Sequence, residues 1–171
     1  MKVIFLDVHG VIKPMNSEEP FHGFNANCMQ NLNFLVKQTG AKIVLSTSWR
    51  DCPNDMKFLQ NGMDKWDGMW WKHVVGCTPQ LWHLSNSRFD DEEGKFVNPT
   101  DDKWTGSRGH EIFEWLKTNK TLVEKAVILD DDPEAKQVKD SGVPVFFGEC
   151  DHTVGITFEI VEKAIDFLGR K

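Results

Sequence analysis

Residues 3–12 read Val3-Ile4-Phe5-Leu6-Asp7-Val8-His9-Gly10-Val11-Ile12, a short apolar run that leads directly into an acid. Such a run is typical of a strand that is buried on both faces, as in a parallel sheet. Ligands of open α/β sheets bind beyond the carboxyl ends of the strands. The segment therefore predicts a buried parallel strand with a functional carboxylate, Asp7, at its tip.

The rest of the chain alternates short apolar runs with segments of helical period. Four further strands are predicted, at Ile43–Leu45, Val74–Val75 (stopping at Gly76), Ala126–Leu129 and Pro144–Phe147. Helices are predicted at Asn27–Gln38, near Asn54–Asn61, after a Ser107 cap and at about Thr157–Leu168. This order predicts a single α/β domain over residues 1–171, with a three-layer, doubly wound, Rossmann-like fold around a five-stranded parallel sheet.

Residues 80–106 break this alternation. Within them, two short apolar ends flank a turn at Gly94, which predicts a β-hairpin. A loop of this length is unusual inside a compact domain, so the insertion is either a lid on the substrate side or a solvated surface excursion. No large insertion is evident between Gly10 and Ser46, and we therefore expect a minimal cap and an open site.

Composition excludes several functional classes. The chain has 20 Lys+Arg against 26 Asp+Glu, a net charge of −6. Binders of membrane surfaces or of nucleic acids in general need a basic face, although a local basic pocket remains compatible with this charge. The four cysteines are scattered without zinc or disulfide spacing, and no apolar run reaches the length of a signal peptide or membrane span. We expect a reduced, soluble, cytoplasmic protein.

Acidic residues end two of the predicted strands. Asp7 ends the first strand, and Asp130 and Asp131 end the fourth. If these strands are neighbours, the three carboxylates converge and repel one another unless a cation neutralises them. Mg²⁺ is a hard cation that binds carboxylate oxygens together with water and substrate phosphate. The sequence therefore predicts a magnesium site at this edge of the sheet.

Such a site suits phosphoryl transfer. Asp7 would be ionised at neutral pH and can attack phosphorus without a base to activate it. The Ser46 hydroxyl and the Arg108 guanidinium can hold the phosphoryl oxygens, and Arg108 falls in the first helical turn, where backbone N–H groups favour an anion. Thr47 and Arg50 are candidate substrate contacts, although Arg50 is equally compatible with an ordinary surface salt bridge.

These segments resemble the motifs of the haloacid dehalogenase (HAD) superfamily. Residues 3–12 resemble the first motif, an apolar strand followed by DxDGT or DxDGV, and residues 43–46 resemble the second, a strand that ends in Ser or Thr. Residues 127–131 resemble the fourth motif, and Arg108 stands where the third carries Lys or Arg. Residues 45–50, 75–79, 108–112 and 155–157 further resemble the small, nearly capless HAD phosphatase-like domains, including those of RNA-repair-type proteins.

This resemblance implies a phosphomonoester phosphatase with an aspartyl-phosphate intermediate on Asp7. It implies Mg²⁺ held by the Asp7 carboxylate, the main-chain carbonyl of His9 and a fourth-motif acid, for which Asp130 and Asp131 are both candidates and Asp131 is preferred. Asp132 precedes Pro133 and is instead expected to cap a helix. The expected substrate is a phosphorylated small molecule or nucleotide, while a nucleic-acid end fits an open site but is not indicated by the charge.

His9 departs from the family pattern. In the phosphatases of this family, the residue two positions after the nucleophile is an Asp that protonates the leaving group and then activates water. Imidazole can perform both steps, but a nearby Mg²⁺ disfavours its protonated form. His9 is therefore a working acid/base, an inactivating change that leaves a phosphate-ligand-binding or regulatory protein, or the mark of a reaction other than phosphate hydrolysis.

Overall fold

The computed structural model describes residues 1–15, 23–65, 71–81, 88–90, 95–97, 106–138 and 140–170. The strands are β1 (Lys2–Leu6), β2 (Lys42–Leu45), β3 (Val74–Cys77), β4 (Arg88–Asp90), β5 (Lys95–Val97), β6 (Lys125–Asp130) and β7 (Val145–Glu149). The α-helices are α1 (Ala26–Thr39), α2 (Pro53–Lys65), α3 (Arg108–Asn119) and α4 (Phe158–Leu168). Short 3₁₀ helices span Ser48–Asp51, Trp71–His73 and Pro133–Lys136.

Five of these strands form a parallel sheet in the order β3-β2-β1-β6-β7. Leu6 at the end of β1 pairs with Leu45 of β2 on one side and with Leu129 of β6 on the other. The predicted sheet and its central first strand are confirmed. The two acidic strand ends consequently lie side by side, as the magnesium-site prediction requires.

The sheet is covered on both faces, which makes the fold three-layered. Alternate residues of β1 divide between two cores, since successive side chains of a strand point to opposite faces. Ile4 and Leu6 pack with α1 and α4, and Val3 and Phe5 pack with α3. All four are fully buried, which explains why β1 is continuously apolar. The predicted doubly wound α/β fold is confirmed.

Local polar contacts begin and end the helices where expected. The Ser107 hydroxyl accepts a hydrogen bond from the backbone N–H of His110 at the start of α3. Gly40 ends α1 in the left-handed conformation, with φ of 68°. The Asp132 carboxylate accepts a bond from the Glu134 N–H at 2.8 Å, which confirms Asp132 as a cap, here of a 3₁₀ helix.

Three predicted boundaries are wrong by two residues or more. The fifth strand of the sheet, predicted at Pro144–Phe147, is Val145–Glu149. The third strand continues through Gly76 to Cys77, because a register shift in the β2–β3 pairing passes over Val75 and lets the ladder resume. Helix α2 continues past Asn61 to Lys65. Gly62 within it packs so closely on Phe24 that a Cβ there would lie 2.2 Å from the ring. This glycine therefore serves packing and does not end the helix.

Strands β4 and β5 pair antiparallel, which confirms the predicted hairpin, while its Gly94 turn lies outside the described residues. At the amino edge of the five-stranded sheet, the Lys2 ammonium donates a hydrogen bond to the Gly169 carbonyl at 2.6 Å. The beginning of β1 and the end of α4 are thereby joined.

Among the helices described, none is long and apolar enough to cross a membrane.

Candidate active site

The register of the sheet places polar residues from three strands in one row. Asp7, Ser46 and Asp130 each lie next to the paired leucines at the strand ends. The Asp7 N–H donates to the Leu129 carbonyl at 3.0 Å, and the Ser46 N–H donates to the Leu6 carbonyl at 2.8 Å. Residues that are far apart in the sequence are thus held together by backbone hydrogen bonds rather than by flexible side chains.

Three carboxylates converge at this edge of the sheet. Asp7, Asp130 and Asp131 each offer an oxygen, and these oxygens all lie within 4.8 Å of one another. Asp7 and Asp130 are buried, and Asp131 is partly exposed. The predicted meeting of acids from the two ends of the chain is confirmed.

Burial leaves the negative charge of this cluster poorly compensated. Burial, and then repulsion by Asp7, raises the pKa of Asp130 to about 8. Burial also raises the pKa of Asp7, while the charge of Arg108 acts in the opposite direction. Asp130 Oδ2 forms no hydrogen bond with any residue in the described ranges. Converging oxygen donors, excess negative charge and a buried oxygen without a hydrogen bond fit a hard divalent cation such as Mg²⁺.

Arg108 lies beside the carboxylates without bonding tightly to them. It is the first residue of α3, as predicted. Its Nη2 lies 4.0 Å from Asp7 Oδ1 and its Nε lies 3.7 Å from Asp130 Oδ2. Both distances exceed those of ordinary hydrogen bonds. Its side chain is 17% exposed, so its donors can reach an incoming anion.

The residues after β2 support the same centre. Ser46 is fully buried, and its Oγ has no hydrogen-bond partner among the residues that the structure describes. The neighbouring Thr47 hydroxyl hydrogen-bonds the Asp7 carboxylate, which opposes the rise in the pKa of Asp7. Thr47 thus contacts the predicted nucleophile, and its role as a substrate contact stays a prediction.

The turn after β1 brings His9 to the rim of the site. His9 is exposed, and its ring packs edge-on against the Trp49 ring with centroids 5.3 Å apart. The adjacent Gly10 has φ of 68°, and a Cβ there would lie 2.3 Å from the Asp131 carboxyl carbon. The backbone at residues 9–10 therefore passes against the acidic cluster, although the His9 carbonyl as a metal ligand stays a prediction.

Arg50 forms a buried ion pair rather than a surface one. Its side chain is 6% exposed, its Nη1 donates to the Thr47 carbonyl at 2.9 Å, and its Nη2 donates to Glu111 Oε1 at 2.6 Å. Glu111 is also buried, and sequence reasoning did not single it out. An available signal was its position three residues after Arg108 on a predicted helix, a spacing at which side chains meet. Arg50 as a substrate contact stays a prediction.

A cleft of about 430 Å³ opens beside Arg108. It lies between the 3₁₀ helix Ser48–Asp51, the start of α3 and residues Asp132 and Glu134. The middle of the chain also carries five tryptophans, at positions 66, 70, 71, 82 and 104. Trp71 packs against the core, and the other four lie outside the described residues: Trp66, Trp70, Trp82 and Trp104.

Comparison with known proteins identifies a family. The family model described as the HAD domain in Swiss Army Knife RNA repair proteins matches residues 3–161. No curated protein and no solved structure matches the chain.

Proposed function

The chain belongs to the family of HAD domains found in Swiss Army Knife RNA repair proteins, and we propose that it is a magnesium-dependent phosphomonoester phosphatase with Asp7 as its nucleophile. Family membership supports phosphatase-type hydrolase activity. The observation that carries the finer proposal is the meeting of Asp7, Asp130 and Asp131 within 4.8 Å, next to the Arg108 guanidinium.

In the first half of the reaction, an Asp7 carboxylate oxygen attacks phosphorus. The bond between phosphorus and the ester oxygen breaks, and the leaving alkoxide takes a proton from the His9 imidazolium. Arg108 and the Ser46 hydroxyl donate hydrogen bonds to the phosphoryl oxygens, where charge develops. Mg²⁺ held by the three aspartates would favour ionised Asp7 and offset the charge of the phosphate dianion.

In the second half, water attacks phosphorus of the aspartyl phosphate. His9, now neutral, accepts the proton of that water, and the bond between phosphorus and Asp7 breaks. Inorganic phosphate leaves and the Asp7 carboxylate is regenerated. The exposure of His9 at the rim supports this role, since its imidazole can exchange protons with both leaving group and solvent.

The proposed substrate is a phosphorylated small molecule or a nucleotide. The open cleft of about 430 Å³ beside Arg108 supports a substrate larger than phosphate itself. A nucleic-acid end is compatible with an open site and with the family, whereas the net charge of −6 does not favour a long polyanion.

A second candidate is a protein that binds a phosphorylated ligand without efficient turnover. The observation that favours it is His9 at the position of the acid/base aspartate, with its ring packed on Trp49. In this case the carboxylates, Ser46 and Arg108 would retain the phosphate pocket while the proton transfer is lost.

The two candidates differ in a direct experiment. Phosphate release is measured in Mg²⁺ from p-nitrophenyl phosphate, nucleotides and 3′- or 5′-phosphorylated oligonucleotides, with Asp7→Asn as the matched inactive variant. Turnover that Asp7→Asn abolishes supports the phosphatase. Beryllofluoride capture without turnover supports the binding protein, and neither capture nor turnover would refute both.

A further inference from the structure

Arg108 has a competing partner on its own helix. Glu111 lies one turn further along α3, and its Oε2 is 3.9 Å from Arg108 Nη1. Residues three apart on a helix are neighbours, so a small rotation of either side chain would form a full ion pair. Such a pair would occupy guanidinium donors that a phosphoryl group needs.

Two hydrogen bonds hold Glu111 away from that pairing. Glu111 Oε1 accepts from Arg50 Nη2 at 2.6 Å and from the backbone N–H of Leu81 at 3.0 Å. A bond of 2.6 Å between a guanidinium and a carboxylate belongs to the strong, charge-assisted kind. The contact of 3.9 Å to Arg108 is by comparison long and weak.

Arg50 is itself fixed. Its Nη1 donates to the carbonyl of Thr47, next to Ser46, and its side chain is 6% exposed. The Arg50–Glu111 pair therefore connects the end of β2 with the first turn of α3. If Arg50 were removed, the buried Glu111 carboxylate would lose its main cation, and the nearest remaining guanidinium is that of Arg108.

We propose that Arg50 is a positioning residue for Arg108: it holds the competing Glu111 carboxylate, and this leaves the Arg108 donors free for a phosphoryl group. The inference rests on the proposed function, in which Arg108 binds phosphate. It differs from a direct substrate contact by Arg50, because Arg50 acts here entirely through Glu111.

A double-mutant cycle tests this relay. Inorganic phosphate affinity in Mg²⁺ is measured by calorimetry for wild type, Arg50→Gln, Glu111→Gln and the double variant. We expect Arg50→Gln to weaken phosphate binding at least about tenfold, since a hydrogen bond to a charged group is lost. Glu111→Gln should change it little. The double variant should return to near the wild-type affinity, because a neutral amide in place of the Glu111 carboxylate cannot capture Arg108.

Kinetic constants add a second criterion. Where the substrate is turned over, Arg50→Gln should raise KM more than it lowers kcat, and the double variant should restore KM. Lys163→Gln removes an exposed ion pair with Glu159 on α4 and serves as the control for a simple change of charge. A double variant as weak as Arg50→Gln would overturn the proposal in favour of a direct phosphate contact, and an unaffected Arg50→Gln would overturn it as well.

A third measurement needs neither substrate nor turnover. The ¹⁵N resonance of the Arg108 guanidinium should shift in Arg50→Gln, with slower proton exchange, and return in the double variant. If wild type neither binds inorganic phosphate nor hydrolyses a phosphomonoester, the proposed function fails. The Arg108 resonance still decides in that case whether Arg50 controls Glu111. Should Arg50→Gln not fold, Arg50→Lys replaces it, with a smaller loss and the same recovery expected; an unmoved resonance would refute the relay.

Discussion

Replacement of Gly10 by alanine is expected to weaken magnesium binding strongly while the protein still folds. A Cβ at residue 10 would lie 2.3 Å from both the carboxyl carbon and Oδ2 of Asp131. These atoms form the free end of a side chain, so the carboxylate can rotate away. The φ of 68° adds a backbone strain of about 1 kcal/mol for a residue with a Cβ. The variant should therefore lose one of three metal ligands but not its fold.

The magnitude follows from ligand linkage. At a Mg²⁺ concentration one hundred times the wild-type Kd, binding adds about 2.7 kcal/mol to the free energy of unfolding. If displacement of Asp131 weakens the affinity about a hundredfold, the same concentration equals the Kd of the variant and adds only about 0.4 kcal/mol. The expected loss of magnesium-dependent stabilisation is thus about 2 kcal/mol.

Gly142→Ala provides the matched control. Gly142 has φ of 74°, and no atom of the described residues lies within 4 Å of the position of its Cβ. This variant carries the same backbone strain but leaves the carboxylates in place. Urea denaturation of wild type and both variants, each with Mg²⁺ and with EDTA, separates the two effects. Equal stabilisation of Gly10→Ala and Gly142→Ala by Mg²⁺ would refute the assignment of Asp131 as a ligand.

Three further predictions concern the polar row and the rim. Because the folded-state pKa of Asp130 is raised to about 8 from 3.8, the folded metal-free protein binds a proton that the unfolded chain releases. Its free energy of unfolding should fall as pH rises from about 4 to about 8. Urea denaturation at several pH values checks this, and an equally steep fall of the free energy of unfolding in Asp130→Asn would contradict it. Ser46→Ala should weaken binding of inorganic phosphate about tenfold or more in calorimetry. Thr78→Val is the control, because it removes the other buried hydroxyl without a hydrogen bond at the described strand ends and should leave phosphate binding unchanged. Equal losses of affinity in both variants would contradict Ser46 as a phosphate contact. His9→Asp should raise turnover of p-nitrophenyl phosphate in Mg²⁺ above that of wild type and of His9→Asn, and unchanged or lower activity would show that His9 is adapted to its task.

Much of the frame could be predicted because it depends on local pattern. Residues 3–6 and 126–129 are continuously apolar and end in acids, and parallel pairing of such strands brings their ends together. Ser107 and Asp132 could be recognised as caps because a side chain that bonds the backbone two or three residues later depends on sequence neighbours alone.

The charge partners could not be predicted in the same way. Arg50 and Glu111 are sixty-one residues apart, and only packing of α3 beside the end of β2 makes them neighbours. Their burial also depends on that packing, so the sequence alone left Arg50 as a phosphate contact or a surface salt bridge. The packing of His9 has a similar origin, since its ring contacts Trp49, forty residues further along.

The hydrogen bond between Lys2 and Gly169 has a practical consequence for any fusion or surface attachment. It places both extremities of the described chain at the amino edge of the sheet, whereas Asp7 and Asp130 lie at the carboxyl edge. A tag, a tether to a sensor chip or an appended protein module at either extremity would therefore sit behind the domain. The edge that carries Asp7 and Asp130 would face outward, and a bulky polymer could reach it without passing the attachment.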